Sequence, residues 1–303
     1  MAKIAVNFER GPERESASES PLSRRLASGN GWTVRDVVCT AGPHDHPFEE
    51  QHAQTSIAIV LGGTFQYRST TGHEMMTPGC LLLGNAGDSF TCGHEHGAGD
   101  RCVAFSYEAE FFETWLEPGG GSRPRFGVPR LPPMRALAPL VAKASMSLSG
   151  ADSLEWEELS VQVAVEAIRM ARGAEASPSG RAPSSLARVT RVVRLIENEG
   201  DVPQDVRSLA RVARLSPYHF LRTFEELTGT TPHQYLLRLR LRRAAVRLRS
   251  EPMRISDIAL DCGFGDISNF NRTFRAEFGV NPRAYRSTAG TRQAAARRSI
   301  MAA

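Results

Sequence analysis

The stretch FLRTFEELTGTTPHQY at residues 220–235 recurs as FNRTFRAEFGVNPRAY at residues 270–285. Phe, Arg, Thr, Phe, Gly, Pro and Tyr stand at the same internal positions of both copies, 50 residues apart. A chain that builds one small device twice specifies each copy by local signals. The repeat therefore constrains the C-terminal part of the fold more tightly than any other feature.

The pairs Phe220/Phe224 and Phe270/Phe274 have the spacing that puts both rings on one helical face, which predicts a core position. A short helix with a small residue precedes each copy: VRSLARVARLS with Ala210, and ISDIALDCGFGD with Ala259. Ser216 followed by Pro217 reads as a helix start, with a hydroxyl to cap it and proline in the first turn. Asp266 can cap the second copy in the same way. Helix, tight turn, helix is the helix-turn-helix unit, whose second helix enters a DNA major groove. With the phenylalanines buried, the first copy turns Tyr218, His219, Leu221, Arg222 and Glu225 outward. The second turns out Ser268, Asn269, Asn271, Arg272 and Arg275. Arg can donate two hydrogen bonds to guanine and Asn can pair with adenine, while Ser suits base edges or phosphate. Arg222 and Arg272 share one repeat position and are the leading candidates for DNA contact.

Between the copies, Leu237, Leu241, Ala244 and Leu248 form an apolar seam in QYLLRLRLRRAAVRLRS. The seam predicts a helical strut of about 15 residues, roughly 22 Å long. Such a strut can hold two recognition helices near one DNA turn, about 34 Å, apart. Arg238, Arg240, Arg242, Arg243, Arg247 and Arg249 cannot all face a core, so some are expected to reach phosphates.

The whole pattern, from SLARVARLSPYHF to IALDCGF and FNRTFRAEFGVNPRAYR, resembles the DNA-binding domain of the AraC/XylS transcription regulators. The likeness covers about residues 186–287. It implies a seven-helix domain with recognition helices near 217–227 and 267–278. It also implies a non-enzymatic regulator whose partners are double-stranded promoter DNA, RNA polymerase and a small-molecule effector. Leu221 departs from the expected polar reader, so the first helix either meets a thymine methyl or only positions the domain.

Charge divides the chain in the same sense. Residues 1–184 hold 16 Lys/Arg against 22 Asp/Glu, a net of −6, whereas residues 185–303 hold 21 Arg, no Lys and 11 Asp/Glu, a net of +10. A basic half fits a polyanion, and the acidic half is expected to do something else. No apolar run approaches the roughly 20 residues that span a bilayer, and the charged N-terminus lacks the centre of a secretory signal. A cytoplasmic protein with reduced cysteines is therefore expected.

In the acidic half, short β-rich runs such as WTVRDVVCT, TSIAIVLGGTFQYRS and RCVAFSY alternate with turn signals, which predicts a small antiparallel barrel or jelly roll. Together with TPGCLLL, the strand pattern resembles the cupin-like effector-binding and dimerising domain found in AraC-type regulators. The expected fold is thus α+β: a cupin-like antiparallel β-barrel with helices, then an all-α double helix-turn-helix domain. The expected boundaries are a polar arm over 1–30, the barrel domain over 31–172, a linker over 173–185, the DNA-binding domain over 186–287 and a disordered basic tail over 288–303. The helix 152–172 has two apolar stripes, Trp156/Leu159/Val163/Ala167/Met170 and Val161/Val165/Ile168. The first suits the barrel. The second suits either the same helix of a second copy, making a homodimer, or burial within one domain.

CGHEHGAGDRC is the most reactive-looking stretch. Cys92, His94 and His96 alternate and project to one side of an extended strand, and His52 and Cys102 can join them. These are ligand types that zinc or iron takes. Alternatively Cys92 and Cys102 close a disulfide, respond to oxidation, or simply shape a turn. His44, His46 and Glu50 resemble part of a cupin metal motif, although the glycine spacing departs from it. A redox or metal sensor, and a metal-dependent cupin enzyme tethered to DNA, remain as alternatives to effector sensing.

Overall fold

A computed structural model describes residues 21–45, 49–95, 99–114, 125–148, 153–174, 183–202 and 204–287. The fold is α+β, with antiparallel sheets in the N-terminal part and helices in the C-terminal part. The strands are β1 (Leu22–Gly29), β2 (Trp32–Cys39), β3 (Glu49–Gln51), β4 (Thr55–Gly62), β5 (Phe65–Ser69), β6 (Gly72–Met76), β7 (Leu81–Gly84), β8 (Ser89–Gly93), β9 (Asp100–Tyr107) and β10 (Arg130–Leu131). They form a six-stranded sheet in the order β1-β2-β9-β4-β7-β10 and a four-stranded sheet in the order β3-β8-β5-β6.

Period-two alternation on β4, β7 and β9 sorts their side chains into two separate cores. Ile57, Ile59, Leu81, Leu83, Val103 and Phe105 face one way, and Ala58, Val60, Leu82 and Cys102 face the other. The first set packs beneath helices α2 (Ala138–Ser147) and α3 (Ser153–Ala171), which contribute Val141, Ala144, Trp156, Leu159 and Val163. The second set fills the space between the sheets together with Phe65, Tyr67 and Met76. Of the two stripes on α3, the first is buried as expected except for half-buried Met170. The second is split: Ile168 is buried, Val161 is half-buried, and Val165 is exposed. A short helix α1 (Ala109–Thr114) follows β9.

The N-terminal arm expected over 1–30 is corrected by β1, which pairs along its length with β2. Leu22–Gly29 is an edge strand with a largely exposed surface, so it carries no apolar alternation to betray it. The linker is also shorter than expected, because Pro183 already opens α4 (Pro183–Glu199). The linker positions 175–182, the tail and the first 20 residues lie outside the described residues.

The remaining helices are α5 (Val206–Ala213), α6 (Pro217–Thr228), α7 (Pro232–Ser250), α8 (Ile255–Asp261), α9 (Ile267–Phe278) and a last segment, α10, over 282–287. They enclose two cores. Leu209, Ala210, Phe220, Phe224, Tyr235, Leu236 and Leu239 close around α4 in one. Leu241, Ala244, Leu248, Ala259, Phe270 and Phe274 make the other. The strut α7 thus gives its first half to one unit and its second half to the next, over 19 residues or about 28 Å.

Candidate nucleic-acid interface

Side-chain caps start α5, α6 and α9, whereas α8 begins after Arg254 without one. The Asp205 carboxylate accepts from the Ser208 amide at 2.8 Å and starts α5, and the Ser216 hydroxyl accepts from the His219 amide and starts α6. Asp266 caps α9 twice, accepting from the amides of Ser268 and Asn269 at 2.8 and 3.1 Å. Gly229 and Gly279, at φ 74° and 76°, end α6 and α9 in the left-handed conformation that a side chain would strain.

Phe220, Phe224, Phe270 and Phe274 are fully buried, and their burial fixes which face of each helix is left outward. On α6 that face carries Tyr218, His219, Leu221 and Arg222, all exposed. On α9 it carries Ser268, Asn271 and Arg272, all exposed, with Asn269 half-buried beside them. The Arg222 guanidinium meets Glu226 at 2.8 Å, and Arg272 donates to the Asn269 side chain at 3.0 Å. Both contacts lie in solvent, where water and salt screen them, so neither arginine is held back from a stronger acceptor. The two helices differ in charge. Glu225 and Glu226 offset Arg222 on α6, whereas Arg272 is joined by Arg275 on α9.

The strut arginines, some of which the sequence led us to expect at phosphates, are engaged by groups of the protein itself. Arg240 donates to the carbonyls of Gly200, Gly263 and Val202 at 2.6, 2.8 and 3.1 Å, tying the entry of the first unit to the turn of the second. Arg243 donates to the Glu197 carbonyl, and Arg242 lies 3.8 Å from the Glu197 carboxylate. Arg247 is paired with Glu251 and Asp261, and Arg249 sits over the Tyr285 ring. Arg240 thus bridges the two units, whereas Arg242 and Arg243 fasten the strut to α4 and Arg247 and Arg249 bind within the second unit. Exposed arginines that the sequence reading passed over are Arg207, Arg211 and Arg214 around α5. The signal for them was the contrast between basic α5 and α8, which carries Asp257 and Asp261 instead.

The N-terminal domain grips both recognition helices near their C-terminal ends. The buried Arg130 guanidinium pairs with Glu74 at 2.9 Å and donates to the carbonyls of Met75 at 3.0 Å and Leu227 at 2.9 Å. Arg135 reaches Glu277 at 3.6 Å, and Arg238 approaches the same carboxylate at 3.5 Å. Leu227 on α6 and Glu277 on α9 stand 50 residues apart, at equivalent positions of the repeat. Between these holds, Ala138 and Ala142 of α2 enter the second helical core, and a Cβ added at Gly229 would lie 2.5 Å from Pro132. A cavity of about 690 Å³ lies at this boundary, lined among others by Glu74, Arg130, Arg169, Glu225 and Glu226.

Among the described residues, the Cys/His side chains singled out in the N-terminal domain do not come together as one ligand group. Cys102 is buried in the inner core, and burial pushes its thiol well above the ordinary range. Cys92 on β8 is half-buried, and its thiol is likewise raised, first by burial and then by Asp100. All five cysteines are free, so the 92–102 disulfide is not formed, and two protonated, inward-facing thiols make poor oxidation sensors. His96 and His46 lie outside the described residues. His94 instead meets Asp100 at 2.8 Å and groups with Cys39.

His52 follows β3 and stacks on Phe90 at 4.2 Å, with its Nε2 2.7 Å from the Tyr67 hydroxyl. Gly84 makes room for it, since a Cβ there would sit 2.2 Å from that nitrogen. Burial lowers the His52 pKa from 6.5 to about 4, although Asp88 opposes the shift. A neutral His52 therefore stabilises the fold fully above pH 6.5, and that contribution drains as pH falls towards 4. Wild-type stability is expected to drop by on the order of 3 kcal/mol over this window relative to His52→Gln. Urea unfolding of both proteins at pH 7 and pH 4 measures it; parallel losses would contradict the assignment.

Two helix pairs on one strut, each with its recognition face outward, define a tandem helix-turn-helix DNA-binding domain. Residues 209–288 match the family model described as a helix-turn-helix domain. Over 100 residues the chain is 37% identical to the HTH-type transcriptional activator RhaS of Enterobacter sp. (strain 638), a match covering 33% of this chain and 36% of that relative. Over 124 residues it is 32% identical to the HTH-type transcriptional activator RhaR of Cronobacter sakazakii, covering 41% and 44%. The chain thus spans less than half the length of the curated relatives it matches. Among solved structures, the DNA-binding domain of AdpA in complex with a target DNA is 30% identical, covering 35% of this chain and 95% of that one with a TM-score of 0.34. An AraC-type regulator from Chromobacterium violaceum is 31% identical, covering 36% and 96% with a TM-score of 0.33. Through this C-terminal domain the chain belongs to the AraC/XylS family of DNA-binding regulators.

Proposed function

We propose that the chain is a one-component transcription regulator, in which α6 and α9 read promoter DNA and the barrel sets how they are presented. Tyr218, His219, Leu221 and Arg222 contact DNA from the first unit. Ser268, Asn269, Asn271 and Arg272 contact it from the second, and Arg207, Arg211 and Arg214 add phosphate contacts. One observation carries the gating: the segment around Arg130 and Arg135 holds the same repeat position on both recognition helices. A small molecule can shift this arrangement only by binding one disposition better than another. The boundary cavity supports such a role, because a ligand there would meet Arg130 and the acidic turn of α6 together. RNA polymerase is the expected further partner. A second copy would find Leu154 and Val165 exposed on the far face of α3, with half-buried Val161 between them.

The test uses DNA fragments selected from the host genome by the full-length protein. Arg272→Ala is expected to weaken binding to a selected fragment by about 1–3 kcal/mol and to relax preference at one base position. Binding to random DNA should change far less, because most of the phosphate contacts remain. Fluorescence anisotropy at fixed salt measures both, and unchanged affinity for selected and random DNA alike would refute the assignment.

A further inference from the structure

One end of the N-terminal sheets brings together three side chains that lie apart from the DNA-reading helices. Cys39 is the last residue of β2 and Asp100 is the first of β9, and the antiparallel register sets them directly opposite each other. His94 lies one residue beyond the end of β8. Its Nε2 is 2.8 Å from the Asp100 carboxylate, and both side chains are almost wholly removed from solvent, at 5% and 7% exposure. One donor atom from each of Cys39, His94 and Asp100 lies within 4.8 Å of the other two. Backbone geometry enforces this approach. Gly99, at φ 71°, comes so near β2 that an added Cβ would strike the Cys39 carbonyl at 2.6 Å. The ring of Phe65, itself buried, lies 6.0 Å from His94 and walls one side.

We propose that Cys39, His94 and Asp100 form a binding site for one thiophilic divalent cation, Zn²⁺, which they hold through sulfur, an imidazole nitrogen and a carboxylate oxygen. Zinc takes such donors at about 2.3, 2.0–2.1 and 2.0–2.2 Å, so tetrahedral placement puts them roughly 3.2–3.6 Å apart. The three side chains need only small rotations to reach that spacing. A sulfur and a nitrogen donor disfavour magnesium and calcium, which prefer all-oxygen shells. Three protein donors leave a fourth position for water or an exchangeable ligand, the pattern of a labile site rather than a closed structural one. The cation would join β2, β8 and β9, and β8 and β9 lie in different sheets.

Cobalt titration of the chelator-stripped, full-length protein tests this. One equivalent of Co²⁺ should bind with a thiolate-to-metal charge-transfer band and the visible bands of four-coordinate cobalt, and one equivalent of Zn²⁺ should abolish both. Cys39→Ser should lose the charge-transfer band, and Asp100→Asn should weaken Co²⁺ binding, with circular dichroism confirming the fold. Cys92→Ser, which changes the neighbouring thiol, should keep the band. If Cys39→Ser does not fold, Asp100→Asn and His94→Gln carry the same comparison. No saturable band would overturn the proposal and leave a hydrogen-bonded thiol–imidazole–carboxylate group. A band that survives Cys39→Ser, or vanishes with Cys92→Ser, would overturn it as well.

Discussion

Arg130→Ala is expected to destabilise the full-length protein by about 3–5 kcal/mol, since it leaves a buried carboxylate without its cation. Glu74 is buried and pairs with Arg130, which also satisfies the carbonyls of Met75 and Leu227. Arg130→Lys should recover little, because an ammonium cannot reproduce the planar fork that reaches three acceptors. The double variant Arg130→Met with Glu74→Leu should recover most of the stability, since it removes both charges. It should still lack the hold on α6, so its DNA affinity should depend less on the N-terminal domain, whose hold on α9 through Arg135 and Glu277 remains. Chemical unfolding followed by binding assays separates the two effects. A loss below about 1 kcal/mol for Arg130→Ala would mean that the boundary is open in solution.

Phe274→Ala should cost about 3–5 kcal/mol, the range for emptying a large aromatic site in a core that cannot collapse. Its ring centre lies 5.4 Å from Phe270, 4.5 Å from Phe278 and 5.3 Å from Tyr285, so one truncation strips several neighbours. The damage should remain local, because Phe220, Phe224 and Tyr235 belong to a separate core. Amide exchange should rise through α8–α10 while α4–α6 keep their protection. Phe224→Ala should show the reverse pattern. Equal acceleration in both units would show that the two cores open as one.

These two variants also mark how far the residues could be read without coordinates. In each copy the aromatic pair, the cap at Ser216 or Asp266 and the glycine at 229 or 279 lie within 13 positions along the chain. Their local spacing therefore carried the helix-turn-helix units directly. Alternation along β4 and β9 disclosed strands for the same reason. The polar edge strand β1 escaped, having no face that the core required to be apolar.

The arginines of the strut show the opposite case. Their positions on a helix were plain, but an arginine reaches far enough to meet whatever packs nearby. For Arg240 that was the entry of one unit and the turn of the other, a pairing that exists only once both have folded. The barrel site follows the same logic. Strand periodicity pointed to Cys92, His94 and His96, yet β8 ends at Gly93 and the alternation ends with it.

What the amino-acid order alone determined was the duplicated reader, the mixed architecture and the charge contrast, because each arises from contacts close along the chain or from composition. Only the tertiary structure decided which arginines face outward, what holds the ends of α6 and α9, and which cysteine meets His94. Such pairings join residues as far apart as Cys39 and His94, 55 positions, or Arg135 and Glu277, 142 positions, and no local pattern records them.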